Sequence, residues 1–311
     1  MYYPLLRGRQ NELLAIRELL SKSLLSDKLI PIIEPVKLTS TLVSTVSTFS
    51  SAQRGLIVIR NPQVGAFLSD TKNPKNDSNF QKLKTLIKEP SITRGLIIGK
   101  NTPAHIQKWA TKGISEAEIV ALCLNPDCLP YYESAFQTHT PQLTVAPYVP
   151  AFRRMRDNRI LLDDKFSKKA RNSDYIDTPD EFFSDDHRFY AADRYAGFSD
   201  YSIVGKEYSE SGFAPYAVVI HMVYFDEEKN LRIHHFVSID NDDISDPAGK
   251  FYQALERMIE WNQTHPLGDT LAMRQFQEIY DKETYPGLGT IKKLSIMHHL
   301  ELMSRYLDGA I

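Results

Sequence analysis

The chain has 311 residues, of which 42% are hydrophobic and 24% charged, and its formal net charge is −2. This composition is typical of a soluble globular protein that forms one α/β barrel or two smaller domains. The small net charge gives no general attraction to nucleic acid or to anionic membranes. Two cysteines exclude a disulfide scaffold. With no apolar leader and no run of about 20 apolar residues, we expect a cytoplasmic protein without a membrane span.

A short apolar run that ends in polar residues recurs along the first two thirds of the chain. The clearest example is LIPIIEPVK at 29–37, where the run ends at Glu34 and Lys37. A strand that is apolar on both faces is typical of a parallel sheet. The recurring pattern predicts eight strands, at residues 2–6, 29–37, 55–60, 95–99, 118–124, 143–149, 160–162 and 198–204.

Segments with helical periodicity or capping residues separate most of these strands. The predicted helices lie at residues 12–25, 39–49, 80–88, 101–111, 129–137, 248–263, 271–280 and 290–307. Residues 68–79 are expected to form a polar loop. Residues 166–197 are expected to be an irregular segment, either a functional loop or a disordered one. Two strand-like runs at 216–225 and 231–239, joined by a polar turn, predict a β-hairpin.

Strands that alternate with helices predict a (β/α)8, TIM-barrel-like fold, distorted because several helices are short. We expect this α/β core at residues 1–205. The hairpin and the C-terminal helices, residues 206–311, are expected to pack on it as an added layer. An open, doubly wound sheet is the alternative arrangement.

Four stretches of the sequence resemble the bacterial and phage "beta protein" family over nearly the whole chain. They are YYPLLRGRQNELLAIREL at the start, PIIEPVK, FSDYSI with the hairpin that follows, and the pair His298 and His299. The resemblance implies a barrel-like fold and a setting among phages, mobile elements or defence genes. It implies no catalytic residues. The family pattern at 199–201 is Gly-Asp-Tyr, and this chain has Ser199 in place of the glycine, so Asp200 and Tyr201 match it only in part.

The polar residues at the strand ends are expected to meet at one mouth of the barrel, where barrel enzymes hold their active sites. The candidate catalytic residues are Glu34, Lys37, Asp163 and Lys165. Two carboxylates can share acid–base work, and a desolvated lysine can form a Schiff base. The candidate ligand-binding residues are Arg7, Arg60, Asn61, Lys100, Asp200 and Tyr201. Arginine and lysine favour a phosphate or a carboxylate. The alternative is that these charges form ion pairs which seal the barrel.

No motif selects a cofactor or a metal. The sequence has no GxGxxG, P-loop, HExxH or GxSxG motif. His234 and His235 are adjacent in a predicted strand, so their side chains face opposite sides and cannot bind one metal together. His298 and His299 diverge on a helix in the same way. The acidic residues at 240–246 are expected to cap the next helix, because the turn glycine and closing glutamate of a calcium loop are missing.

Three classes of function therefore stay open. The first is a component of an anti-phage defence or mobile-element system that binds a small anionic ligand at the mouth or a partner protein through the hairpin at 216–240. The second is an enzyme, a lyase or a phosphodiester- or phosphate-processing enzyme, that acts on a small anionic metabolite. The third is a nucleic-acid-binding module that uses the basic segment 153–171, which is the least favoured of the three because acidic residues dilute that segment.

Overall fold

The chain divides into two compact units in a computed structural model that describes residues 1–155, 157–209 and 215–311. The first unit comprises Met1–Leu13, Asp27–Asp164 and Asp186–Tyr201. The second unit comprises Leu14–Ser26, Lys165–Asp185 and Ser202–Ile311. The sequence predicts a single boundary near residue 205, whereas this division also takes two earlier segments into the second unit.

The strands form two separate sheets. They are β1 (Leu5–Leu6), β2 (Ile32–Ile33), β3 (Leu56–Ile59), β4 (Ile92–Ile97), β5 (Ile119–Leu122), β6 (Leu143–Pro147), β7 (Arg159–Asp163), β8 (Asp180–Ser184), β9 (Gly197–Asp200), β10 (Val219–Phe225) and β11 (Leu231–Val237). The first unit holds eight parallel strands in the order β1-β2-β3-β4-β5-β6-β7-β9. All eight predicted barrel strands are present; most are shorter than predicted, whereas β4 begins earlier and β7 is longer by one residue at each end.

Backbone pairing between the first and last strands nearly closes this sheet. Tyr2 forms parallel bridges to both Leu29 and Phe198. The Tyr3 N–H donates to Phe198 O at 2.9 Å, and the Phe198 N–H donates to Met1 O at 3.1 Å. The predicted TIM-barrel-like fold is thereby confirmed over the open doubly wound sheet.

The two faces of each barrel strand bury different apolar sets, as expected for a sheet covered on both sides. The interior cluster includes Leu5, Ile32, Ile57 and Val145. A second cluster on the outer face joins strand residues such as Ala121 to the helices that follow β4 and β5. This double burial is why the strands read as continuous apolar runs rather than alternating ones.

Ten α-helices connect and flank the strands of the described ranges. They are α1 (Gln10–Ser21), α2 (Ser40–Ser51), α3 (Phe67–Asp70), α4 (Asp77–Leu86), α5 (Thr102–Ala110), α6 (Leu129–Ala135), α7 (Asp186–Phe189), α8 (Pro247–Asn262), α9 (Leu271–Asp281) and α10 (Leu288–Leu307). All the predicted helices are present. The predicted loop 68–79 was wrong in part, because α3 and a 3-10 turn at Pro74–Asn76 occupy much of it.

The second unit contains a three-stranded antiparallel sheet in the order β10-β11-β8. The predicted hairpin is confirmed as β10 and β11. The expectation that residues 166–197 are irregular was wrong, since β8 lies there and pairs with β11. Asp246 caps α8 as predicted, with its side chain accepting the Gly249 N–H at 2.8 Å. The helix α10 is buried continuously from Leu294 to Ser304.

Candidate functional site

The carboxyl ends of the parallel strands carry a small group of buried polar side chains in the first unit. Leu5, Ile32 and Leu162 pack in the interior cluster, and alternate residues of a strand share a face. Tyr201, just past β9, belongs to the same cluster. The positions two residues beyond these three, on the interior face, are Arg7, Glu34 and Asp164. We call Arg7, Glu34, Asp164 and Tyr201 the mouth cluster.

Arg7 and Glu34 form a buried ion pair within the mouth cluster. Arg7 Nη1 donates to Glu34 Oε2, and the two side chains are 10% and 1% exposed. The second oxygen, Glu34 Oε1, accepts the Gln63 backbone N–H at 2.7 Å. Glu12, also buried, accepts the backbone N–H of Arg7 at 3.3 Å. Both oxygens of Glu34 are therefore engaged, and its charge is compensated, which is the arrangement of a structural carboxylate.

Tyr201 covers the other side of the Arg7 guanidinium. The guanidinium carbon lies 5.2 Å from the centroid of the Tyr201 ring, within the range of a cation–π contact. Burial raises the pKa of Tyr201 to about 12, the nearby Arg7 opposes this, and the charges of Asp164 and Glu34 add to it. The phenol is therefore neutral at physiological pH and available as a hydrogen-bond donor.

Arg60 lies close to Arg94, a residue that the sequence analysis did not single out. A Cβ on Gly95 would meet the side chains of Ile57 and Ile59, so this face of β4 is the interior one and Arg94 faces outward. Burial, and secondly the charge of Arg94, lowers the pKa of Arg60 to about 10. Within the described part of the chain, neither guanidinium has a hydrogen-bond or ion-pair partner, although both side chains are partly buried.

The predicted lysines and Asp163 do not join the mouth cluster. Lys37, Lys100 and Asp163 are exposed, so the two lysines lack the desolvation that a Schiff-base lysine needs. Asp163 follows Leu162 and faces away from the interior; its Oδ1 accepts the Asp164 N–H at 2.8 Å. The expected acid–base pair of Glu34 and Asp163 thus combines a buried and an exposed carboxylate. Lys165 belongs to the second unit.

Asn61 and Asp200 have structural partners. The Asn61 amide donates to Ile97 O at 2.7 Å and accepts the Ile97 N–H at 2.9 Å, so it prolongs the β3–β4 pairing. Asp200 accepts the Tyr2 hydroxyl at 2.7 Å. Tyr2 stacks on Phe198 at 4.8 Å. Phe198 and Asp200 alternate with Tyr201 along the chain and so lie on the opposite face, where Tyr2 contacts both of them.

Each of the adjacent histidines in β11 has its own carboxylate from β8, which the sequence analysis missed. His234 Nδ1 lies 3.3 Å from Asp180 Oδ2, and His235 Nε2 lies 3.2 Å from Glu181 Oε1. On the face of His235, its Nδ1 lies 2.8 Å from His221 Nδ1. The prediction that His234 and His235 face opposite sides is confirmed.

Three further findings concern the described residues. Within them, no group of three or more metal-ligating side chains comes together. None of their helices is both long enough and apolar enough to cross a bilayer. Cys123 and Cys128 are both buried, free thiols.

In comparisons with known proteins, no family model matches the chain and no curated protein is significantly similar to it.

Proposed function

We propose that the barrel binds a small oxyanion, a phosphate or a carboxylate, through Arg60 and Arg94. The observation that carries the proposal is the proximity of two partly buried guanidinium groups, with no carboxylate beside either one among the described residues. A planar guanidinium presents paired N–H donors that match the oxygens of such an anion.

The charge balance distinguishes this pair from the other buried arginine of the barrel. Arg7 is neutralised by Glu34, whereas burial, and secondly the like charge of Arg94, lowers the pKa of Arg60. Desolvated like charges cost free energy, and a bound anion would convert that cost into two favourable ion pairs. A bound anion therefore stabilises Arg60 and Arg94 more than it would Arg7, which Glu34 already neutralises.

The test is thermal unfolding in sodium phosphate against sodium chloride of equal ionic strength. Phosphate also stabilises proteins generally by exclusion from their surface, so the comparison is between variants. We expect about 1 to 1.5 kcal/mol of specific stabilisation when phosphate is about tenfold above its Kd. Arg60→Gln and Arg94→Gln should lose this increment. Lys88→Gln, which removes an exposed charge, should keep it. Equal phosphate effects in all four proteins would contradict the proposal.

We further propose, from the family resemblance, that the protein is a component of a defence or mobile-element system and meets a protein partner at the hairpin. In support, β10 is an outer strand of its sheet and Tyr216 beside it is 59% exposed. An outer strand offers unpaired backbone groups to a partner. Tyr216→Ala should lower recovery of a co-purifying protein from the native host. Tyr148→Ala, at an 83% exposed tyrosine of the first unit, should not; equal recovery from both would refute this surface.

A further inference from the structure

A cavity of about 420 Å³ lies within the second unit, between β11 and α8. Its aromatic wall consists of His234, Phe236 and Trp261. The Trp261 ring centroid lies 4.7 Å from that of His234 and 5.7 Å from that of Phe236. This volume suits a small molecule, and sites of this size combine an apolar wall with a few placed polar groups.

Asp180 fixes the orientation of His234 in this wall. Its carboxylate accepts hydrogen bonds from Tyr224 Oη at 2.7 Å and from Arg232 Nε at 2.6 Å, and it also faces His234 Nδ1. Burial alone would raise the pKa of Asp180, but these three hydrogen bonds outweigh it and the pKa is lowered. An ionised Asp180 can only accept a hydrogen bond, so the proton lies on His234 Nδ1 and the contact fixes the orientation of the ring.

The rim of the cavity carries one charge of each sign, one turn apart on α8. Arg257 and Glu260 both line the cavity and are exposed. Arg257 Nη1 donates to Val237 O at 2.8 Å, which uses one of five guanidinium donors. The side-chain carboxylate of Glu260 has no hydrogen-bond or ion-pair partner among the residues that the structure describes. With Asp180 balanced by Arg232, the fixed charges around the cavity sum to zero, which favours a zwitterion over a simple anion.

We propose that this cavity binds a free α-amino acid with a large apolar side chain. Its carboxylate would pair with Arg257 and its ammonium group with Glu260, while the side chain packs against Trp261 and Phe236. The site lies wholly in the second unit and is separate from the anion site of the barrel.

Isothermal titration calorimetry of the full chain with L-phenylalanine tests the proposal. Phenethylamine lacks the carboxylate and hydrocinnamate lacks the ammonium group, and each should bind about tenfold more weakly or worse, because one charge of the cavity is then left without its partner. The proposal would be overturned if L-phenylalanine gave no binding heat up to about 10 mM, because a Kd above that concentration is too weak for a specific site of this kind. Equal binding of all three compounds would overturn it as well.

Variants of α8 then assign the contacts. Arg257→Gln should weaken the binding of L-phenylalanine about tenfold or more and leave that of phenethylamine unchanged, since it removes only the ion pair with the carboxylate. Glu260→Gln should weaken the binding of L-phenylalanine to a similar extent and leave that of hydrocinnamate unchanged, since it removes only the ion pair with the ammonium group. Glu256→Gln removes an exposed carboxylate of the same helix that does not line the cavity, and it should bind as the native chain does. Circular dichroism checks that each variant is folded. Loss of binding in all three variants, or in none, would refute the assigned contacts.

Discussion

Replacing Arg7 by Met should destabilise the first unit more than most single substitutions. The exchange removes the guanidinium but leaves the carboxylate of Glu34, which is 1% exposed, without its opposite charge. Breaking a buried ion pair by removing one partner costs about 3 to 5 kcal/mol. The lost cation–π contact with Tyr201 contributes about 0.5 to 1 kcal/mol within that total.

The two tryptophans make the assay specific to one unit. Trp109 lies in the first unit and Trp261 in the second, and the chain has no others. In a Trp261→Phe background, fluorescence during urea unfolding reports the first unit alone. With a urea dependence of about 2 kcal/mol per molar, the Arg7→Met change should lower the unfolding midpoint by about 2 M.

A double variant separates charge imbalance from lost packing. In Arg7→Met with Glu34→Met both charges of the pair are removed together, and most of the stability should return, as happens when both members of a buried pair become apolar. Arg153→Met, at an exposed position of the first unit, should change the midpoint little. The reasoning is refuted if Arg7→Met matches Arg153→Met, or if the double variant is less stable than Arg7→Met alone.

Three further predictions concern pH, backbone conformation and thiol reactivity. Burial, more than any other factor, lowers the pKa of His298 from 6.5 to about 4. The unfolded chain therefore takes up a proton first, and the free energy of unfolding should fall by about 3 kcal/mol between pH 6.5 and 4; urea unfolding across this range should show a flatter slope for His298→Gln. Gly65→Ala should lower the free energy of unfolding more than Gly113→Ala does in the same urea assay. Both have positive φ, but a Cβ at Gly65 would lie 2.3 Å from a carbonyl oxygen and one at Gly113 meets open space; equal costs would count against this. Iodoacetamide should label Cys128 before Cys123, because the hydrogen bond between them lowers the pKa of Cys128 and raises that of Cys123. Peptide mass spectrometry measures the order of labelling, and earlier labelling of Cys123 would contradict the prediction.

The sequence predicts the elements of the barrel well because each strand is buried on both faces. A run such as Leu56–Ile59 is apolar at every position, so it stands out from the helices around it. The same property hides which side chains face the interior. In RILLDDK at 159–165, the residue pattern does not indicate whether Asp163 or Asp164 shares the interior face of Leu162, and in the structure it is Asp164. The prediction of Asp163 and Asp200 as site residues follows from that missing alternation.

Other parts of the site depend on partners that are distant in the sequence. The strand β8, DEFFS, begins with two carboxylates and has no alternating pattern. It is a strand because it pairs with β11, about 50 residues later, and its carboxylates meet His234 and His235 there. Arg94 was missed for a related reason. It lies before the predicted start of its strand, and its importance comes only from its proximity to Arg60.

The balance of charge, rather than position at the mouth, separates the polar residues of the barrel into two kinds. Glu34 and Asn61 have their hydrogen-bonding oxygen atoms occupied by Arg7 or by the backbone, and the charge of Arg7 is balanced by Glu34, so a ligand would have to displace those bonds. Such groups hold the mouth in shape. Arg60 and Arg94 are held together at a cost that nothing in the described chain offsets. Proteins tolerate such local strain chiefly where function requires it. If Arg60→Gln left stability unchanged or raised it in chloride while abolishing the phosphate effect, this pair would be maintained for its ligand and not for the fold.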